Sequence, residues 1–314
     1  MPLLNSVTTP YAEAFLQVSN DLNQTDEIVA QVKEILSLFR ESTELEKPSS
    51  DFQSYLAILK AAVQSKMEYR GSFVAYIFTL IGFYGAQVSV IALMLNRFKQ
   101  MGGWQPGEVA FLYSMLLLCN GMVSAVFSGM TEFSELVREG TFDRVMLRPL
   151  SELGQILAMK FEPGGVAHLI LGLAALFVAD NMIDLDWDLL KVSFLIGSIL
   201  GGVFILAGIR IIIAAVSFFA IKNQGLQHLL VFSAREFLMY PVHIYSFPVR
   251  VLLTFMFPIA FVNFYPAHFF LDRTGQTLFH PYLSYMSLPI GLVVLGLSLA
   301  FWRFGVNRYS STGS

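Results

Sequence analysis

Charge is what this sequence has least of. Its 20 basic and 23 acidic side chains make up 14% of 314 residues, where a soluble domain carries about a quarter. With 55% hydrophobic residues and a mean hydropathy of +0.61, this excludes an ordinary water-soluble domain. A net charge of −3, with basic residues scattered in ones and twos, excludes nucleic acid as a partner. Cys119 is the one cysteine, so no internal disulfide can form and a thiolate metal site has no partners. The histidines, at 168, 228, 243, 268 and 280, never take the zinc-helix spacing with an acidic neighbour, and no metal site is expected. No G-x-x-x-x-G-K-[ST] loop, G-x-S-x-G elbow or H-E-x-x-H helix occurs. The chain is therefore expected to be no enzyme, with no catalytic residues and no cofactor of its own. A secretory signal is also missing: the chain opens "MPLLNSVTTPYAEAF" and stays polar for roughly seventy residues. The amino terminus is expected to remain in the cytoplasm.

What is present falls into two parts, residues 1–50 and 51–314. In the first, Thr9 and Pro10 form a helix start. Ile28, Val32, Ile35, Leu36 and Phe39 recur at helical spacing, which predicts a soluble amphipathic helix before the linker "ESTELEKPSSD". From Phe52 to Arg70 a second amphipathic segment carries Tyr55, Leu56, Leu59, Ala62 and Val63 on one side. Lys60, Lys66 and Arg70 are available to lipid headgroups, which predicts a helix lying in the membrane interface.

Crossing the hydrocarbon core takes about twenty apolar residues. Six stretches qualify: 72–95, 109–130, 163–181, 192–219, 247–265 and 284–303. The fifth carries Arg250 and Pro258. The expected fold is an all-α membrane protein, because lipid offers backbone groups no partners outside each segment. With the amino terminus inside, eleven Lys and Arg flank the spans on the cytoplasmic side and four on the outer side, which fits the positive-inside bias. Both termini are then cytoplasmic. Arg210 falls near the inner end of the fourth span and is expected to snorkel to the headgroups. Asn120 is expected to bond to a neighbouring helix.

Spans one, two, three and six hold essentially no ionisable group at depth apart from His168. Coupling to ions needs such groups, so the energy for any transport is expected to come from another protein.

The stretch "EFSELVREGTFDRVMLRPLSE", Glu132 to Glu152, is charged at eight of twenty-one positions and joins the second and third spans. Phe133, Leu136 and Val137 form one apolar edge, and Gly140 can end that turn. Phe142, Val145 and Met146 form a second edge, closed at Arg148-Pro149. Glu139, Asp143, Arg144 and Arg148 supply opposed charges for a protein partner. The alternative is a solvated loop that merely obeys the charge rule. Further along, Pro258 and Pro266 prevent one straight helix through "FPIAFVNFYPAHFFLDRTGQTLFHPYL". Short broken helices dipping into the outer leaflet are one reading, and a kinked span with an aromatic-rich loop is the other.

Three separated motifs, "REGTFDRVMLRPL", "YPVHIYSFPVRVLLTFMFPIAFVNFYPAHFFL" and "FWRFGVNRYSSTGS", resemble ABC transporter permeases of the type-2 export class. Within that class the resemblance is to the subgroup of six-span permeases commonly encoded beside an ATPase and a second, similar permease. The likeness covers roughly residues 55–314 and implies six transmembrane helices, an interfacial helix before the first, and re-entrant helices between the fifth and sixth. It also implies a coupling element made of Glu139, Gly140, Phe142, Asp143, Arg148 and Pro149, seated in a groove of an ABC ATPase that binds the ATP. The Pro258–Leu283 region, with Pro258, Asn263 and Pro266, would cap the translocation path. A second permease subunit, identical or similar, and the lipid of a bacterial plasma membrane complete the implied partners. Residues 1–50 match nothing in that family. A non-transporting scaffold using its amino-terminal helix is the competing reading.

Overall fold

The computed structural model describes residues 51–67, parts of 71–89, 100, 102–220, 225 and 234–309. The chain divides into two compact units, Met1–Ser54 and Tyr55–Ser314. The amino-terminal helix expected before residue 50 and half of the expected first span, 72–95, lie outside the described residues.

Among the described residues all regular structure is helical. Helix α1 (Asp51–Met67) is followed by α2 (Pro106–Phe127), which runs through a 3-10 turn, Ser128–Glu132, into α3 (Phe133–Arg138). Short helices α4 (Phe142–Met146) and α5 (Glu152–Ala158) precede α6 (Pro163–Ile183) and α7 (Leu189–Val216). After α8 (Ala234–Leu238) comes α9 (Phe247–Val251), prolonged by a π-helical turn, Leu252–Met256. A 3-10 turn, Ile259–Phe261, leads to α10 (Phe264–Phe270), and α11 (Ser287–Arg308) is the last helix.

Local chemistry sets several of these starts. Pro106 and Pro163 occupy first-turn positions, where a missing N–H costs nothing. The Asp188 carboxylate accepts from the Lys191 amide at 2.6 Å and caps α7. Ser151 caps α5 by accepting from Gly154 N at 3.2 Å.

Among the described residues four segments are long and apolar enough to cross a membrane: Pro106–Arg138, Pro163–Ile183, Leu189–Val216 and Ser287–Arg308. The pair Phe247–Met256 and Ile259–Phe270 would make a fifth, but it is bent by 77°. The stretch 247–265 is therefore not one straight span. Pro258 has no N–H to continue the ladder, and Phe257 N reaches back five residues to Leu252 O at 2.8 Å. This is a multi-pass membrane protein whose described residues hold four to five membrane-capable helices.

α2 and α7 are mostly buried and form the centre, while α6 and α11 have few fully buried residues. α6 packs along α2 and α11 along α7. Glycine permits both approaches: a Cβ on Gly165 would lie 2.6 Å from Ala125 N, and one on Gly291 2.4 Å from Gly201 O. Close backbone contact of this kind is how helices associate where lipid is as apolar as the side chains. The outward faces, including Ile170, Leu173 and Phe177 on α6 and Leu292, Val293 and Leu297 on α11, are exposed and apolar, as contact with lipid requires.

Candidate coupling surface and polar cavity

The Glu132–Glu152 stretch folds as two short helices around a glycine corner. α3 ends at Glu139, and Gly140 follows with φ of +67°, a conformation strained for any residue with a Cβ. Phe133 and Phe142 are fully buried, with ring centroids 5.1 Å apart and nearly perpendicular. They sit in an aromatic cluster with two membrane-length helices: Phe133 lies 4.8 Å from Trp302 of α11 and 5.1 Å from Phe218, just past α7. Phe142 contacts Tyr309 at 5.1 Å. Gln155 of α5, fully buried, donates from Nε2 to Val145 O at 3.0 Å and Leu150 O at 3.1 Å, tying down both ends of the Arg148-Pro149 bend. Tyr55 of α1 donates to Ser151 Oγ at 3.1 Å and accepts from Ser151 N at 2.9 Å, so α1 is fastened to the same bend.

The opposite face of α4 is open. Arg144, Met146, Arg148 and Pro149 are exposed, and Leu147 is 83% exposed. Glu139 is exposed and Gly140 half-buried. Phe142 and Asp143 are placed differently from the other expected coupling residues. Phe142 is an internal anchor, and the half-buried Asp143 carboxylate lies against the Tyr309 hydroxyl. Beside α3 a groove of about 470 Å³ is lined by Glu132, Glu135, Glu139 and Lys160. Lys160 pairs with Glu132, and Arg138 with Glu135 at 2.8 Å.

Deeper in the same end, a cavity of about 220 Å³ lies among α2, α6 and α7. Asn120, Ser124, His168, Arg210 and Arg235 line it, with Tyr76 and Leu80 forming another wall. Arg210 does not snorkel. It turns inward and donates to Val123 O and Ser124 Oγ, both at 3.3 Å, because α2 offers acceptors closer than the end of α7. Asn120 bonds within its own helix, to Leu116 O at 3.1 Å, and not across to a neighbour. Glu162, which caps α6, accepts from the Tyr76 hydroxyl at 2.5 Å and from Gly164 N at 3.4 Å.

At the other end, Asn263 and Pro266 are buried in the packed core and Pro258 is half-buried. Asn263 Nδ2 donates to Leu112 O of α2 at 3.1 Å and to Leu238 O of α8 at 2.7 Å, which pins the bent segment to the central helix. Pro266 falls in the first turn of α10, where its missing N–H is harmless. Arg273 pairs with Glu108 at 2.8 Å and donates to Gly103 O at 3.2 Å, closing this end over Trp104. Sequence reasoning missed Gln155, Phe218, Trp302 and Tyr309. Gln155, a lone amide in the apolar run "ELGQILA", was the readable signal. Among the described residues no group of three or more His, Cys, Asp or Glu could hold a metal ion.

The family described as "ABC-2 family transporter protein" matches residues 81–313. Among curated proteins, the chain is similar to ATP synthase subunit delta of Prochlorococcus marinus strain AS9601. The two are 64% identical over 50 residues, which cover 16% of this chain and 28% of that protein. Strain MIT 9301 gives the same figures. The delta subunit of strain MIT 9211 is 45% identical over 71 residues, 21% of this chain and 39% of that protein. The chain thus spans about a quarter to two-fifths of the length of these curated relatives. No solved structure matches. The family match takes in most of the chain, including α2 to α11 with the glycine corner and the aromatic cluster behind it, and the chain belongs to the ABC-2 family of transporter proteins as a membrane-spanning permease.

Proposed function

We propose that this permease is one half of the translocation path of an ATP-driven exporter, closed by a second permease and moved by a separate ABC ATPase. The observation that carries the reading is the two-sided character of α4. One face exposes Arg144, Leu147, Arg148 and Pro149, and the other buries Phe142 against Phe133, Phe218 and Tyr309. A partner seated on the exposed face would push on aromatic rings that belong to the ends of α7 and α11. Nucleotide-dependent closure in the ATPase would then bias the packing of those helices between two states. In this reading the α3–α5 end faces the cytoplasm of a bacterial cell, both chain ends are cytoplasmic, the bent α9–α10 segment caps the outer side, and the cargo is an amphipathic or hydrophobic molecule. ATP and the catalytic groups for its hydrolysis belong to the partner.

The 50-residue likeness to ATP synthase subunit delta is best placed in the 80 residues ahead of the family match, which begins at residue 81. Residues 1–50 then form an appendage to a permease that starts near residue 51.

A cysteine at the centre of the exposed face tests the coupling. In a Cys119→Ser background, Leu147→Cys is expected to cross-link to a nucleotide-binding ATPase in native membranes and to be blocked by thiol reagents applied from the cytoplasmic side only. Labelling of that cysteine by an impermeant reagent from outside intact cells would overturn the orientation and the coupling together. Retained export with Arg144→Ala, Leu147→Asp and Arg148→Ala combined would overturn the docking face.

A further inference from the structure

The cavity around Arg210 has a charge arrangement that coupling does not explain. Its cationic members are Lys160, Arg210 and Arg235, and its acidic member is Glu162. Lys160 already pairs with Glu132. Glu162 is engaged by the Tyr76 hydroxyl and by the amide of Gly164, at the positive end of α6. The hydrogen-bond acceptors of Arg210 are neutral, a backbone carbonyl and a serine hydroxyl. Among the described residues no carboxylate lies within ion-pair distance of it. A guanidinium this far inside a membrane helix, about 9 Å along α7 from Val216, is costly without an anion, and such groups mark the path of a substrate more often than they serve packing. Arg235 lines the same space, so two guanidinium groups face one small volume.

The remaining wall decides what kind of anion fits. Tyr76 and Leu80 come from an apolar helical stretch, 74–83, whose Phe78, Ile81 and Phe83 are exposed. A volume of about 220 Å³ holds a carboxylate or phosphate head with the first carbons of a tail, and cannot hold a whole lipid. A molecule with its charge on the arginines would lay its tail out past Leu80 along that apolar surface.

We propose that this cavity binds the anionic head of a single-tailed amphiphile, held by Arg210 and Arg235 through charge-assisted hydrogen bonds. That such a molecule is the cargo rests on the permease reading above. The binding itself does not.

The test uses the purified full-length chain in nanodiscs of zwitterionic lipid, with a fluorescent fatty acid and its methyl ester as probes. The acid is expected to bind about ten-fold or more tighter than the ester, the worth of one charge-assisted hydrogen bond. Arg235→Gln should remove that preference, by weakening acid binding more than ester binding. Arg210→Gln should do the same, and Arg210→Lys, which keeps a charge where α2 needs a donor, should keep part of the preference even if the glutamine variant fails to fold. Glu162→Gln should strengthen acid binding. Equal binding of acid and ester by the unaltered chain, or full preference in Arg235→Gln, would overturn the site. Displacement of the acid by millimolar inorganic phosphate would show a free-anion site and overturn the amphiphile. None of these readouts needs the ATPase, so failure of the coupling experiment leaves them standing. If the acid binds, its movement between leaflets in vesicles containing the ATPase and ATP marks it as cargo, and its retention without movement marks a resident lipid and overturns the cargo assignment.

Discussion

The carboxylate of Asp143, on the helix that carries the exposed Arg144, acts on the phenol of Tyr309, the first residue past α11. Burial first, and then the neighbouring carboxylate, push the Tyr309 phenol up to about 12 from its ordinary 10. The folded chain therefore holds this proton more tightly than the unfolded chain does. The associated stabilisation is complete below about pH 10 and is lost as pH rises towards 12. Tyr309→Phe removes the titration. Followed by Trp302 fluorescence, alkaline loosening of the inner aromatic cluster is expected between pH 10 and 12 in the unaltered chain and at higher pH in the variant. Identical alkaline curves for the two would show that the Asp143–Tyr309 contact does not support the cluster.

Phe133 touches Phe142, Phe218 and Trp302 at once, so it is the ring through which a push on α4 reaches two membrane-length helices. Phe133→Ala leaves a void that its neighbours cannot fill, at a cost of about 3 kcal/mol or more. The expected result is a permease that still inserts and still cross-links through Leu147→Cys, but whose ATP hydrolysis no longer drives transport. Phe133→Leu should recover much of the thermal stability, because it restores most of the volume, and less of the transport. Thermal unfolding in detergent, with transport measured in vesicles, separates the two effects.

Asn263 makes its two donations at the other end, to Leu112 O and Leu238 O, while 1% exposed. Asn263→Leu keeps the bulk and strands two buried carbonyls, at a cost of about 1–3 kcal/mol. Asn263→Asp is expected to be worse, since it sets a carboxylate against those same oxygens. Melting temperatures should fall in the order unaltered, leucine, aspartate. An unchanged melting temperature in the leucine variant would show that α2 holds the bent segment by apolar packing alone.

Four of the six expected spans were legible because twenty apolar residues in a row have few other fates, and the corner at Gly140 because a glycine between two short apolar edges is the residue that can adopt positive φ there. Direction was harder to read. Asp143 and Arg144 are neighbours of like polarity in the sequence, yet one leans against Tyr309 and the other is exposed. Which way each points depends on where Phe142 finds its pocket, and besides Phe133 that pocket is built by Phe218 and Tyr309, far away in the sequence. Arg210 was misread for the same kind of reason. Its distance from the helix end fitted snorkelling, but Val123 O and Ser124 Oγ of α2 take its hydrogen bonds, and a linear count along one helix cannot see another.

The family match begins at residue 81, and α1 is bonded to the Arg148-Pro149 bend through Tyr55 and Ser151. A chain starting at residue 51 therefore keeps the family-matched region and α1 with its fastening. Removing residues 1–50 is expected to leave membrane insertion, melting temperature and the Leu147→Cys cross-link unchanged. Removal of residues 1–67 should weaken all three, because the Tyr55–Ser151 contact goes with α1. Protease protection, thermal unfolding and cross-linking on the two truncations decide the matter. Loss of function in the shorter truncation would return the amino-terminal segment to a working role and favour the scaffold reading over the exporter.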